Sequence, residues 1–482
     1  MPIRQRTGQD ESITESSRAM RLFTDRHDAI KHFAVLLNVD LAADQPTPEK
    51  VLFFHGDGGN GKSLLLRFLR ERCCKRLSPE GWQYINTLDG EALVAHLTDA
   101  EDAAAVPTAA IDFGSGPALA EGSIQDASVA LLQLRRDLTE QGFRFPIFDF
   151  ACIWYLHKAQ NLSGERIKSY FPAQDLASSL VDAFTGTSWG SIAKAAVGLL
   201  GKNLDKRYTI FHHQRKLEPE QLERIESLDA RTELIDHLPE FFAEDLNAAM
   251  RAEGAPKRVA LFFDTHEAFW GARDRELAND RFFYRDEWLR GLLTALDLTA
   301  GIVVIVAGRE APLWKQASRC VVPEAYLRLW PVKHLRAHDA AVYLERAGVA
   351  DTAMQRALID YASVAVDEVH PLYLGMCVDI VRAAIAGNVL IGPEEFHDAP
   401  QMKTKEAELL ERLLRYVDQN IGYAVRALSA CRAFNLEIYL RLGRELNFAA
   451  SEPSFGVLRN FSFVWESKDR RTGWHRIHDL VR

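Results

Sequence analysis

Cysteine is sparse. The chain of 482 residues has six, at Cys73, Cys74, Cys152, Cys320, Cys377 and Cys431, with no CxxC pair and no histidines at zinc-finger spacing. A disulfide-built scaffold and a zinc ribbon are thereby excluded, and reduced thiols are expected. Long apolar runs are also missing. The longest, GIVVIVAG and the broken SWGSIAKAAVGLLG, fall well short of a membrane span. The opening MPIRQRTGQDESITESS lacks the apolar core of a secretory signal, and residues 1–20 read as disordered. An excess of positive charge is absent as well. Lys and Arg number 58 against 67 Asp and Glu, for a formal net charge of −9, which argues against nonspecific binding of nucleic acid by the whole molecule. A local basic face can still hide within that sum. No Asn-Lys-x-Asp motif is there to read guanine. The default is a cytoplasmic protein with no membrane partner. What is plentiful is material for cores, with 47% hydrophobic and 26% charged residues, enough for two to four domains.

The stretch VLFFHGDGGNGKSLLLRFL, from Val51 to Leu69, is the most informative. Val51-Leu52-Phe53-Phe54 does not alternate and has strand length, so it predicts a strand buried on both faces. Glycine then takes over. Gly56, Gly58, Gly59 and Gly61, with Asp57 and Asn60 between them, can adopt angles that turn successive amide N–H groups into one concave anion nest. Lys62 adds a mobile positive charge for β- and γ-phosphates, and Ser63 a hydroxyl for Mg²⁺. Leu64 and the leucines after it begin a helix whose N-terminus faces the phosphates. Gly56-x-x-x-x-Gly61-Lys62-Ser63 between strand and helix is the Walker A pattern, and it predicts a nucleotide site.

Other segments place the rest of an α/β architecture, in which a parallel P-loop sheet with a helical insertion precedes a helical domain and a winged-helix domain. FTDRHDAIKHFAVLLN predicts a turn and an amphipathic helix. VPTAAIDFGS, KRVALFFDTHEAFW and AGIVVIVAGRE predict further buried strands, the first ending at Asp112. Between about 122 and 254 the pattern is helical, an insertion of unassigned role. HDAAVYLERAGV, AMQRALIDYASV and HPLYLGMCVDIVRAAIAG predict helices, and VLIGPEEFHDAP a boundary. Helices then lead to short strands around FSFVWE and WHRIHDL, which suggest a winged helix. The expected divisions are a nucleotide-binding domain at 21–331, a helical domain at 332–400 and a winged helix at 401–482.

Hydrolysis of a nucleotide needs a carboxylate near the metal and another to orient water. Asp264, at the end of the strand in LFFDTHE, is the candidate for Mg²⁺, acting through its water shell. Glu267 is the candidate base. His266 between them has the alternative of facing outward and doing nothing. Arg309, ending the next strand, is either a sensor of the γ-phosphate or a partner in a structural salt bridge.

The order of these pieces from Phe23 to Arg482 resembles a STAND-class P-loop NTPase, the AAA+-related signalling ATPases that include NB-ARC and NACHT switches. The likeness is carried by FTDR, HGDGGNGKS, LFFDTHE, AGRE, HPLYL (similar to a GxP-type motif) and RIHDLVR (similar to an MHD motif). The resemblance implies ATP or ADP with Mg²⁺ as ligands. Arg26 would sit near the adenine, Pro371 against base or ribose, and His478 on the ADP β-phosphate. Helix initiation explains Pro371 equally well, and a hydrogen-bonded core histidine explains His478. His370 stands where the family has Gly, and Ile477 where it has Met. The resemblance implies a switch in regulation or defence that rests with ADP and associates with ATP, by itself or with a separate effector or sensor protein. No repeat sensor array follows Arg482, so a minimal switch, a partner of separate effectors, or the core of a longer protein is expected. The alternative is a DNA-binding AAA+ factor of origin-recognition or loader type, with Lys468, Arg470 and Arg471 of the terminal turn meeting phosphate. A nucleotide-holding scaffold without useful turnover is the third reading.

Overall fold

A computed structural model describes residues 23–39, 51–100, 103–114, 123–163, 167, 170–171, 219–270, 283–397, 405–467 and 473–478. The proposed disordered N-terminus, much of the 122–254 insertion, the turn with Lys468, Arg470 and Arg471, and the final DLVR lie outside the described residues. The chain divides into two compact units.

Residues 27–55 and 69–330 make one unit, built on a sheet. Its strands are Val51–His55 (β1), Thr108–Asp112 (β2), Val259–Asp264 (β3), Ile302–Gly308 (β4) and Leu327–Pro331 (β5), in the order β2-β3-β4-β1-β5. β1 runs parallel to β4, β2 to β3 and β3 to β4, in a register that sets Asp112 opposite Asp264. All of β4 is buried, as is β1 up to His55 and β3 up to Asp264. That is why these strands are unbroken runs of Val, Ile, Leu and Phe. Alternation still sorts their side chains: Val51, Phe53, Leu261, Phe263, Val304 and Val306 join a core with helices Ala127–Thr139, Pro146–Lys158 and Leu234–Arg251. Toward the opposite face, Phe33 of helix His27–Asn38 lies 6.1 Å from Phe262, ring to ring.

Two buried charges in this unit have specific partners. Arg135 grips Asp149 through two hydrogen bonds of 2.8 and 2.6 Å. Asp245 accepts the backbone N–H groups of Ile147 and Phe148 at 2.9 Å each. Those amides open helix Pro146–Lys158 and have no intrahelical acceptor, so a carboxylate from a neighbouring helix takes that role.

The second unit holds the described parts of residues 1–26, 56–68 and 331–482. Its helices are Lys62–Phe68, Ala337–Arg346, Thr352–Ala362, Pro371–Ala386, Lys405–Tyr416, Gln419–Ser429, Leu436–Glu445 and Glu452–Arg459. An antiparallel hairpin follows, Val464–Ser467 (β6) with Trp474–Ile477 (β7). The helix Glu452–Arg459 adds to the sequence reading. It is short and opens with a capping box between Ser451 and Ser454. One cluster of buried residues runs from Leu335 to Ile477, across the expected boundary at 400. Asp379 and Gly375 of helix Pro371–Ala386 tie it to the approach of β6. The carboxylate of Asp379 accepts the Ser462 N–H at 2.6 Å, and a Cβ at Gly375 would lie 2.9 Å from that of Ser462. The fold is thus an α/β P-loop fold with helical domains.

Candidate functional site

The glycine loop belongs to the second unit and is held by side chains on several segments. Gly56, Gly59 and Gly61 have positive φ, whereas Gly58 does not, so three of the four expected glycines use that freedom. At Gly56, φ is 152° and a Cβ would lie 2.3 Å from the Val332 carbonyl oxygen. At Gly59, φ is 82° and a Cβ would lie 2.6 Å from Cε1 of His370. Lys62 is buried, its Nζ donating to the carbonyls of Gly56 at 2.6 Å and Asp57 at 2.7 Å. Ser63 and Leu64 follow it in the first turn of helix Lys62–Phe68, where Leu65 N–H donates to the Gly61 carbonyl. Asn60 is buried and donates through Nδ2 to the Val332 carbonyl at 3.0 Å. Asp57 is exposed, 3.8 Å from Nε2 of His334.

Arg26 binds this loop's backbone. Its guanidinium donates to the carbonyls of Asn60 at 3.3 Å and Lys333 at 2.5 Å, and pairs with Asp25 at 2.7 Å. Both Asp25 and Arg26 have positive φ, 64° and 69°, in the turn that sequence marked as FTDR. Pro371 occupies the first turn of helix Pro371–Ala386, a position where its missing N–H costs nothing. His370 precedes it and reaches the loop, its Nε2 3.1 Å from the Gly58 carbonyl. His478 donates its backbone N–H to Phe463 at 2.8 Å, and its ring lies 5.5 Å from that of Trp465. Burial, reinforced by the positive charge of His334 and then His478, lowers the His370 pKa to about 3, against the opposing bond to Gly58. His370 is therefore neutral at physiological pH. Sequence reasoning gave His370 only the weight of a departure and missed His334, because neither sits in a pattern that reports three-dimensional proximity.

The candidate carboxylates belong to the first unit, at the C-terminal ends of its strands. Thr265 follows Asp264 with φ 59°, a left-handed conformation unusual for a β-branched residue. Its N–H bonds Asp264 at 2.8 Å and its hydroxyl bonds Asp112 at 2.7 Å, linking two neighbouring strand ends. A 3₁₀ turn, His266–Phe269, then carries Glu267. The Glu267 carboxylate receives the Arg309 N–H at 3.1 Å, and its other oxygen lies 3.1 Å from Arg309 Nε. Of the two roles expected for Arg309, the salt bridge is the one the geometry displays.

His266 is buried, so the outward-facing alternative does not apply. The reason is a polar partner inside the core. Its Nε2 lies 3.1 Å from Asp286, which also accepts Trp314 Nε1 at 2.8 Å and Arg290 Nε at 3.1 Å. Burial pushes the Asp286 carboxyl up, but the bond and charge of His266, the charge of Arg290 and the Trp314 bond together hold it below its ordinary value. Arg290 donates onward to the Phe283 and Arg319 carbonyls. A small recess open to solvent is bordered by His266, Glu267, Asp286, Arg309 and Trp314. Neither Asp286 nor Arg290 was legible as a site residue, because a lone Asp and Arg on a helix read as solvated charges.

Among the described residues no cluster of His, Cys, Asp and Glu suits a metal ion by itself, and no helix is long and apolar enough to cross a membrane. No family model matches the chain, and no curated protein matches it. Solved structures do. A signal transduction ATPase with numerous domains carrying a tetratricopeptide repeat sensor, from Pyrococcus horikoshii, is 10% identical with a TM-score of 0.40, over 95% of this chain and 41% of that one. This chain therefore spans less than half of that protein. The Orc1 protein of Aeropyrum pernix in complex with DNA is 11% identical over 97% of this chain and 90% of that one, with a TM-score of 0.29. Cdc6p from Pyrobaculum aerophilum is 12% identical over 97% and 92%, with a TM-score of 0.28.

Proposed function

We propose that the chain is an ATP-binding and slowly hydrolysing switch of STAND type, resting with ADP and associating with ATP. The observation that carries the reading is the glycine loop. It follows a strand buried from Val51 to Phe54, has positive φ at Gly56, Gly59 and Gly61, and brings Lys62 to the start of a helix. Backbone amides in such a loop form an anion nest, and the helix that follows adds its own unpaired N–H groups. Lys62, now donating to its own loop carbonyls, can exchange those acceptors for phosphate oxygens without leaving the loop. Ser63 and Asp264 are the residues that would hold Mg²⁺, and the bound ion would offset the charge of the phosphates.

Glu267 orients and deprotonates water in this reading, while Arg309 holds its carboxylate. Arg26 holds the loop backbone through the Asn60 carbonyl. Pro371 borders the base or ribose, and His478, on the hairpin taken as a winged helix, contacts the ADP β-phosphate as a latch. A latch shifts the resting state only to the extent that ADP and ATP differ in affinity for the closed and open forms.

The test uses two variants of the full chain. Lys62→Ala abolishes ATP binding measured by calorimetry, and Glu267→Gln retains binding while turnover falls by about a hundredfold or more. ATP binding unchanged in Lys62→Ala would refute the reading; equal turnover in Glu267→Gln would remove Glu267 from it.

A further inference from the structure

We infer that His370 is a positioning residue of the phosphate-binding loop, its Nε2–H held on the Gly58 carbonyl so that the next amide is presented to the nucleotide. The inference rests on the nucleotide-binding reading given above.

His370 is the residue before Pro371, with extended backbone and no cap bond from its side chain to the helix it precedes. The imidazole is thus released from the usual local use of a polar residue at this position. It turns to the glycine loop. The ring is buried, stacked on Tyr373 with centroids 4.0 Å apart and planes 21° apart, and lies 5.2 Å from the ring of His334. Packing on these sides fixes where Nε2 points. Its acceptor, the Gly58 carbonyl at 3.1 Å, can only receive a hydrogen bond, so the proton resides on Nε2. Nδ1 then carries the lone pair, in keeping with its lack of a hydrogen-bond partner among the described residues.

The consequence for the loop follows from peptide geometry. In a planar trans peptide the C=O of one residue and the N–H of the next point in opposite directions. Drawing the Gly58 carbonyl toward His370 therefore turns the Gly59 N–H away from it, toward the concave side where a nest collects its donors. Close approach makes the arrangement specific. A Cβ at position 59 would fall 2.6 Å from the imidazole Cε1 and 3.2 Å from Cβ of Leu372. Asn60 and Arg26 secure the following residue through Val332 and the Asn60 carbonyl, leaving the Gly58–Gly59 peptide to His370.

His370→Gln keeps a donor close to the place of Nε2, His370→Phe keeps the ring without the donor, and Lys62→Ala controls for nucleotide binding. Equilibrium binding of ATP with Mg²⁺ to the full chain is measured beside the melting temperature without nucleotide. His370→Phe should bind about tenfold more weakly, as for one lost buried hydrogen bond, and His370→Gln should recover most of that loss. Should His370→Phe fail to fold, His370→Leu makes the same comparison. Wild-type affinity in the donor-free variant, with Lys62→Ala inactive, would overturn the role of His370 and leave the nucleotide site standing. A folded wild-type chain that binds no ATP would overturn both.

Discussion

Gly56 and Gly59 do different work for the same loop. Gly56 meets a backbone carbonyl 2.3 Å from its would-be Cβ, an atom that cannot swing aside, whereas Gly59 meets a side chain. Gly56→Ala is therefore the harsher change. It should lose ATP binding and cost roughly 1–3 kcal/mol or more in unfolding free energy, read from urea titration. Two histidines make a second prediction. Burial, then His334, lowers His370 to about 3, and burial, then Arg459, lowers His475 to about 4. In an unfolded chain both titrate near 6.5. Between those limits the unfolded chain binds protons that the folded protein does not. The stability tied to these residues is thus full above about pH 6.5 and falls as pH drops toward 4, by about 1.4 kcal/mol per pH unit for each histidine. Urea unfolding at pH 7 and pH 5 measures the loss, and His475→Gln should reduce it. Equal loss in that variant would contradict the assignment.

The turn His266–Phe269 shows how an element is held from beneath. Asp286, fully buried, joins His266, Trp314 and Arg290. Asp286→Ala would leave the Arg290 guanidinium buried without its carboxylate, at a cost of about 3–5 kcal/mol in denaturant unfolding. A loss below 1 kcal/mol would show that the network is not structural. Elements like β1, β3 and β4 were legible in the sequence because strands buried on both faces are apolar without interruption. β5, Leu327–Pro331, was not, since most of it is exposed and it ends in proline, so its composition does not distinguish it from a loop. The site was legible to the same extent. Motif residues on strand ends and in the glycine loop announced themselves by spacing. His334, Asp286 and Arg290 act through contacts across long stretches of chain, and no local pattern reports those.

For the whole molecule, the formal charge of −9 bears on the reading as a DNA-binding factor. A chain of that charge that presents no local basic face should not shift duplex DNA at low salt, because nonspecific binding is driven by displaced phosphate counterions. A salt-dependent band shift would favour the DNA-binding reading instead. The glycine loop, Arg26, His370 and His478 belong to one compact unit, and Asp264, Glu267 and Arg309 to the other. Replacing His478 by Ala should speed release of bound ADP. Unchanged release and unchanged mass would remove the latch. The most direct measurement is to denature the purified protein, identify the nucleotide it releases, and determine its mass in solution with and without ATP and Mg²⁺. A switch at rest releases one ADP per chain and gains mass with ATP. A chain that releases nothing, binds no added ATP and keeps one mass throughout would contradict the proposed switch at its root.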